Sequence, residues 1–207
     1  MTSHPALRFA AVLLSLLILG TWERSGWAGQ PAGGEADPRI VGWMSRITPE
    51  RLLEQVAKLS GEEEIVVEGQ PAQLRTRYSG TQEAMLTAAY LRDYYAGLGL
   101  RTEMWPYGTA GWVNVVAVQP GWRNPEEMYI LCAHYDSTST VPLTDAPGAD
   151  DNASGVSAVM AAAQVLSGQA FAHTIRYVHF SGEEQGLWGS TAYAHQSALR
   201  GEHIAGV

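Results

Sequence analysis

The chain has 207 residues, 46% hydrophobic and 16% charged, which is a globular composition long enough for one substantial domain and unlike that of a disordered segment. Thirteen Lys and Arg against 21 Asp and Glu give a formal charge of −8 with no basic run, which makes nucleic acid and anionic membrane surfaces poor partners. A single cysteine excludes an internal disulfide framework and any zinc site built on several thiolates, so a bound metal would take His and carboxylate ligands.

The N-terminus predicts export. Arg8 precedes the apolar run Ala10–Gly20, whose 11 residues fall short of a membrane span. Gly26-Trp27-Ala28 resembles a cleavage site, so residues 1–28 read as a signal peptide and the mature protein as secreted or periplasmic. The alternative is an uncleaved anchor helix, the one route to a membrane, but Glu23 and Arg24 interrupt it. Residues 29–46 read as a flexible leader, and residues 47–207 as the folded part.

Thr48-Pro49-Glu50 predicts a helix start, with Thr48 as cap, and Leu52, Val56 and Leu59 give it one apolar face before Gly61. A second helix spans about Gln82 to Gly97, where Ala84, Ala88, Leu91 and Tyr95 recur at helical spacing. The pattern then turns to strands. Arg101–Tyr107 and Trp112–Gln119 read as a hairpin, and the apolar run Met128–Ala133 as a central strand buried on both faces. Ser154–Leu166 reads as a helix, Ile175–Phe180 as another central strand, Ser190–Ser197 as a helix and His203–Val207 as a strand. Strands alternating with helices predict an α/β fold with a mixed, mostly parallel central sheet flanked by helices.

Charge leaves the apolar background in three places. His134-Tyr135-Asp136 follows one strand, Asp150-Asp151-Asn152 precedes a helix, and Glu183-Glu184 follows the second central strand. Singly these read as a surface turn, N-cap chemistry and a solvated loop. In open α/β sheets, however, ligand sites form beyond the carboxyl ends of the strands. If the two central strands are parallel neighbours, one His and several carboxylates converge there without a Lys or Arg. Carboxylates so gathered repel unless they bind protons or share cations, and a divalent metal is the economical explanation.

The segments HYDST, PGADDNASG and SGEEQGLWGS, in that order, resemble the co-catalytic zinc exopeptidases, which include bacterial leucyl aminopeptidases, plasma glutamate carboxypeptidases and glutaminyl cyclases. Arg77-Tyr78-Ser79-Gly80-Thr81 and Leu98-Gly99-Leu100 look like that family too, so the resemblance covers roughly residues 47–207. It implies that His134 binds one zinc, Glu184 the other, and Asp151 bridges the two. It makes Glu183 the general base and acid, and has Asp136 hold the His134 ring by a hydrogen bond. Proteins resembling this one also carry a cis peptide bond after the bridging Asp, here Asp151–Asn152.

The family's ligand set has two further members, an Asp at the end of the next strand and a distal His, and no residue here matches their motifs. The chain is therefore expected to be the N-terminal part of a longer peptidase. The function implied is zinc-dependent hydrolysis of peptide bonds at a chain terminus, with a peptide or small amide as substrate. The alternatives are a glutaminyl cyclase-like transferase and a non-catalytic binding domain on the same scaffold. Zinc content separates them: two ions per complete domain, one, or none.

Overall fold

A computed structural model describes residues 37–108 and 112–207; the predicted signal segment and residues 29–36 of the leader lie outside the described residues. The order is α1 (Pro38–Met44), α2 (Pro49–Ser60), β1 (Ile65–Val67), β2 (Gln70–Ala72), α3 (Gln82–Gly97), β3 (Arg101–Pro106), β4 (Val113–Gln119), β5 (Asn124–His134), α4 (Ser154–Leu166), β6 (His173–Phe180), α5 (Trp188–Leu199) and β7 (His203–Gly206). Among the described residues no helix is long and apolar enough to cross a membrane.

The helices begin and end where side-chain chemistry directs. The Thr48 hydroxyl accepts from the Arg51 amide at the start of α2, and Gly61 closes that helix in the left-handed conformation, φ +81°. A Cβ at Gly61 would lie 1.7 Å from the Leu74 carbonyl oxygen, so the close approach also requires glycine. Thr81 caps α3 by accepting from Ala84 N. Helix α1 falls inside the segment read as a flexible leader. Asp37 caps it and Pro38 opens it, but none of its residues is buried, so it offered no amphipathic period to read. The hairpin β1–β2, joined through Glu68 and Gly69 at positive φ, was not anticipated either.

Five strands form one sheet in the order β3-β4-β6-β5-β7. The short β3–β4 connection makes that pair antiparallel, β4 also runs antiparallel to β6, and β6–β5 and β5–β7 are parallel. The sheet is therefore mixed in equal parts rather than mostly parallel. On one face α2, α3 and α4 bury Leu59, Leu91, Tyr95, Val156 and Met160 against Val115, Ala117 and Tyr177. On the other face Tyr193 of α5 packs with Val116, Val118, Ile130 and Val178.

The expectation that Met128–Ala133 is buried on both faces does not hold. Tyr129 and Leu131 point to the α4 side of β5 and are exposed, whereas β4 is buried along its whole length. By strand order both are second from an edge; β4 lies beneath α3 on one face and α5 on the other, whereas the stretch of β5 beside the four-residue β7 is left partly uncovered. Hydrophobicity alone does not distinguish the two positions.

Candidate metal centre

Strands β5 and β6 run side by side with His134 opposite Phe180, so the chain leaving β6 at Ser181 arrives beside the tip of β5. This parallel pairing brings the first and third polar segments together, as the sequence led us to expect. The Ser181–Gly182 start of the turn is pinned from several directions. Tyr107 donates to the Ser181 carbonyl at 2.6 Å, the Ser181 amide donates to Asn114 Oδ1 at 3.1 Å, and the Gly182 amide donates to Ser79 Oγ at 2.9 Å. Gly182 is left-handed at φ +74°, and a Cβ there would meet the Tyr107 hydroxyl at 2.7 Å. The Gly186 and Leu187 amides then fold back onto the Glu183 carbonyl, so Glu183 and Glu184 sit on a turn and need not diverge as neighbours on a strand do.

Asp136 organises this turn. Its carboxylate is wholly buried, with Oδ1 accepting from the Glu183 amide and Oδ2 from the Glu184 amide, both at 3.2 Å. This differs from the role expected of it. The hydrogen bond of His134 Nδ1, at 3.2 Å, goes to the backbone carbonyl of Asp136, and carboxylate Oδ1 lies at ion-pair distance, 3.5 Å. The reason is geometric: a buried carboxylate must find donors, and the two amides of the turn face it directly. A carbonyl can only accept, so Nδ1 carries a proton, and Nε2 is the nitrogen that faces the cleft.

Nε2 lies 3.0 Å from Asp151 Oδ1, and the Asp151 side chain is 75% exposed. Asp151 belongs to a wide turn, Ala149–Ala153, that leads into α4, where Asp151 and Asn152 leave helical geometry (φ/ψ −115°/94° and −136°/42°). The Asp151–Asn152 peptide bond is cis, as the resemblance implied. Asn152 Oδ1 accepts from the Gly155 amide at 2.9 Å and so caps the helix start.

One ligand atom each from His134, Glu183 and Glu184 can be chosen so that all lie within 4.8 Å of one another. The structure therefore gathers His134, Glu183 and Glu184, which adds Glu183 to the residues within reach of a cation; Asp151 stands outside that group and approaches it through His134 Nε2, and Asp136 lies buried behind it. Burial disfavours a charged His134, but the hydrogen bond and charge of Asp136, with the charges of Glu183 and Asp151, outweigh it and raise the ring's pKa. Burial, followed by the charges of Asp151 and Asp136, raises the Glu184 carboxyl against the pull of His134. The His134 shift marks the surrounding negative charge; the Glu184 shift reflects burial first and that charge second. Of the remaining histidines, His179 is fully buried against the Tyr95 hydroxyl and His195 is exposed on α5, so neither joins the cleft.

Arg77 was not singled out as a site residue, although it stands in a motif that carried the resemblance. It is fully buried, and burial pushes its guanidinium down to about 10 against the charges of Asp136 and Asp151, which leaves it protonated at neutral pH. Its sequence neighbours Arg75, Thr76, Ser79 and Thr81 are polar. Nothing local showed that it would be buried.

Residues 114–207 match the model of peptidase family M28. The matched segment holds His134, Asp136, Asp151, Glu183 and Glu184. Over 97 residues the chain is 39% identical to a "Probable zinc metalloprotease" of Pyricularia oryzae, covering 45% of this chain and 19% of that protein. A "Probable zinc metalloprotease" of Pyrenophora tritici-repentis is 40% identical over 97 residues, covering 45% and 20%. The match thus spans about a fifth of the length of these curated relatives.

Among solved structures, LapB from Legionella pneumophila superposes with a TM-score of 0.65 at 19% identity, covering 80% of this chain and 43% of that one. The aminopeptidase from Aneurinibacillus sp. strain AM-1 gives 0.60 at 14%, covering 78% and 68%. The glutaminyl cyclase of Fimbriiglobus ruber gives 0.58 at 21%, covering 76% and 58%. At these identities the likeness is one of fold, and the fold is shared by proteins of both names.

Proposed function

We propose that this chain supplies part of the catalytic centre of a zinc exopeptidase of aminopeptidase type, which hydrolyses the terminal peptide bond of a peptide or small amide. The observation that carries this reading is the gathering of His134 and the two glutamates at the carboxyl ends of two parallel strands, with Asp151 Oδ1 3.0 Å from His134 Nε2. The M28 match and the names of the curated relatives support it.

The donor set fits zinc. One imidazole nitrogen, with its partner nitrogen held by a carbonyl, and carboxylate oxygens are borderline-to-hard ligands suited to that ion. His134, Asp151 and Glu184 would hold the metal. We assign two ions to the complete domain; Asp151, an exposed carboxylate facing the His134 nitrogen, would be the residue shared between them. When bound, zinc supplies Lewis-acid polarisation of the scissile carbonyl and an acidified water.

The protein's own groups do the rest. With the Nδ1 proton held by the Asp136 carbonyl, Nε2 is the nitrogen whose lone pair would go to the metal once its own proton is given up. Asp136 holds the Glu183 and Glu184 amides, which fixes the turn and hence the directions of both carboxylates. Glu183 accepts a proton from the attacking water and returns it to the leaving amine. We further propose that the protein is exported, with residues 1–28 as a cleaved signal.

The test is zinc content together with hydrolysis of amino-acid 4-nitroanilides by the purified chain and by a complete homologous domain carrying this segment. Stoichiometric zinc in both, lost on Glu184→Ala, is the expected result. Absence of zinc from both at micromolar free metal would overturn the reading.

A further inference from the structure

The two segments that carry His134 and Asp151 are separated by an exposed excursion, residues 138–145, which leaves the strand tip and returns only at Ala146. Something must fix where the return occurs, because a shift of about 1 Å between the two ligand-bearing segments is enough to spoil a metal site. Arg77 makes that connection. Its Nε donates to the Tyr135 carbonyl at 2.7 Å, in the peptide between His134 and Asp136. Its Nη1 donates to the Pro147 carbonyl at 2.6 Å and its Nη2 to the Gly148 carbonyl at 2.9 Å, immediately before the Asp151 turn. A further bond from Nη1 reaches the Leu59 carbonyl at the end of α2, at 2.5 Å.

The Arg77 backbone strengthens the same link. Its amide donates to Ser137 Oγ at 3.1 Å, and Ser137 Oγ donates to the Ala146 carbonyl at 2.6 Å. The chain passes so close that a Cβ on Gly148 would lie 3.0 Å from Arg77 Nη2 and 2.6 Å from the Ser137 Cβ. All the guanidinium partners are carbonyls. Among the described residues no carboxylate lies within salt-bridge distance of it.

We propose that Arg77 is a positioning residue of the metal centre: one planar guanidinium, bonded to the carbonyls on both sides of the cleft, sets the distance between His134 and Asp151. The inference rests on the zinc reading above. It names arginine for a physical reason. A rigid fork of donors spans carbonyls from separate segments, whereas a lysine ammonium, with three donors at one point, cannot reach all of them.

The experiment is competition for zinc with a chromophoric chelator, on the whole chain, for wild type, Arg77→Lys, Asp151→Asn and the double variant. Arg77→Lys is expected to weaken zinc binding about 10–100-fold, the usual consequence of removing a group that orients a ligand. In the Asp151→Asn background the same change should cost less than about threefold, since Arg77 acts through Asp151. A purely structural Arg77 would give equal losses in both backgrounds, or none for folded protein, and either result overturns the proposal. Should Arg77→Lys not fold, Ser137→Ala replaces it in the same cycle, with a smaller loss and the same dependence on Asp151. Arg176→Lys, on the opposite face of the sheet in a pair with Glu202, is the control and should leave zinc affinity unchanged. If wild type itself takes up no zinc, the metal reading fails; if wild type binds and Arg77→Lys binds equally, only the positioning role fails.

Discussion

Replacing Asp136 by Asn isolates what holds the Glu183–Glu184 turn. The substitution keeps the shape of the side chain and removes its charge and one acceptor. Asp136 is wholly buried, and each of its oxygens takes one amide at 3.2 Å. In the Asn variant one amide still finds the carbonyl oxygen, but the other meets an NH2 group, donor against donor. The loss of a charged hydrogen bond costs about 1.5–3 kcal/mol, and a buried amide left without an acceptor about 1–3 kcal/mol. The 3.2 Å distances are long for N–H···O bonds, which places the sum in the lower range, about 2–4 kcal/mol. Urea unfolding of metal-free wild type and variant, compared at equal slope, measures it. The His134 ring, now without the adjacent carboxylate, should also titrate lower, as followed by the imidazole proton resonances. A stability change below about 0.5 kcal/mol would show that the turn does not hang on this carboxylate, and would refute the account of Asp136.

In a complete domain, Glu183→Gln should retain zinc and lose turnover about 10²–10⁴-fold, whereas Glu184→Ala should lose metal first; the reverse pattern in zinc content and rate would exchange the two roles. Gly148→Ala should destabilise the chain by about 1–2 kcal/mol for a left-handed non-glycine residue, and by a further ~1–3 kcal/mol for the Cβ placed 2.5 Å from the Asp151 carbonyl oxygen, as read from thermal or urea unfolding. His179, buried and held at about 3, refuses a proton that the unfolded chain accepts below about 6.5. Its contribution to stability is therefore complete above pH 6.5 and declines by about 1.4 kcal/mol per unit as pH falls toward 3. Urea midpoints of wild type and His179→Gln across that range test this, and equal slopes for the two proteins would contradict it.

Local chemistry written in the chain settled the helices α2 and α3: the cap at Thr48 and the apolar spacing of both appear in the structure as the sequence implies. The same holds for the polar residues beyond β5 and β6, because a carboxylate or histidine placed after a buried strand stands out against its neighbours. Helix α1 and hairpin β1–β2 escaped notice because one buries nothing and the other has three-residue strands, too short to show a period. Sequence could not say that Tyr129, Leu131 and Cys132 of β5 would stay exposed, since burial depends on which strands and helices come to lie beside it. Nor could it say that Asp136 would bond the Glu183 and Glu184 amides rather than turn its carboxylate wholly to His134, or that Arg77 would be buried among carbonyls. Spacing along a chain fixes neighbours within a helix or strand. Hydrogen bonds between segments far apart in sequence depend on where the packed sheet sets those segments down.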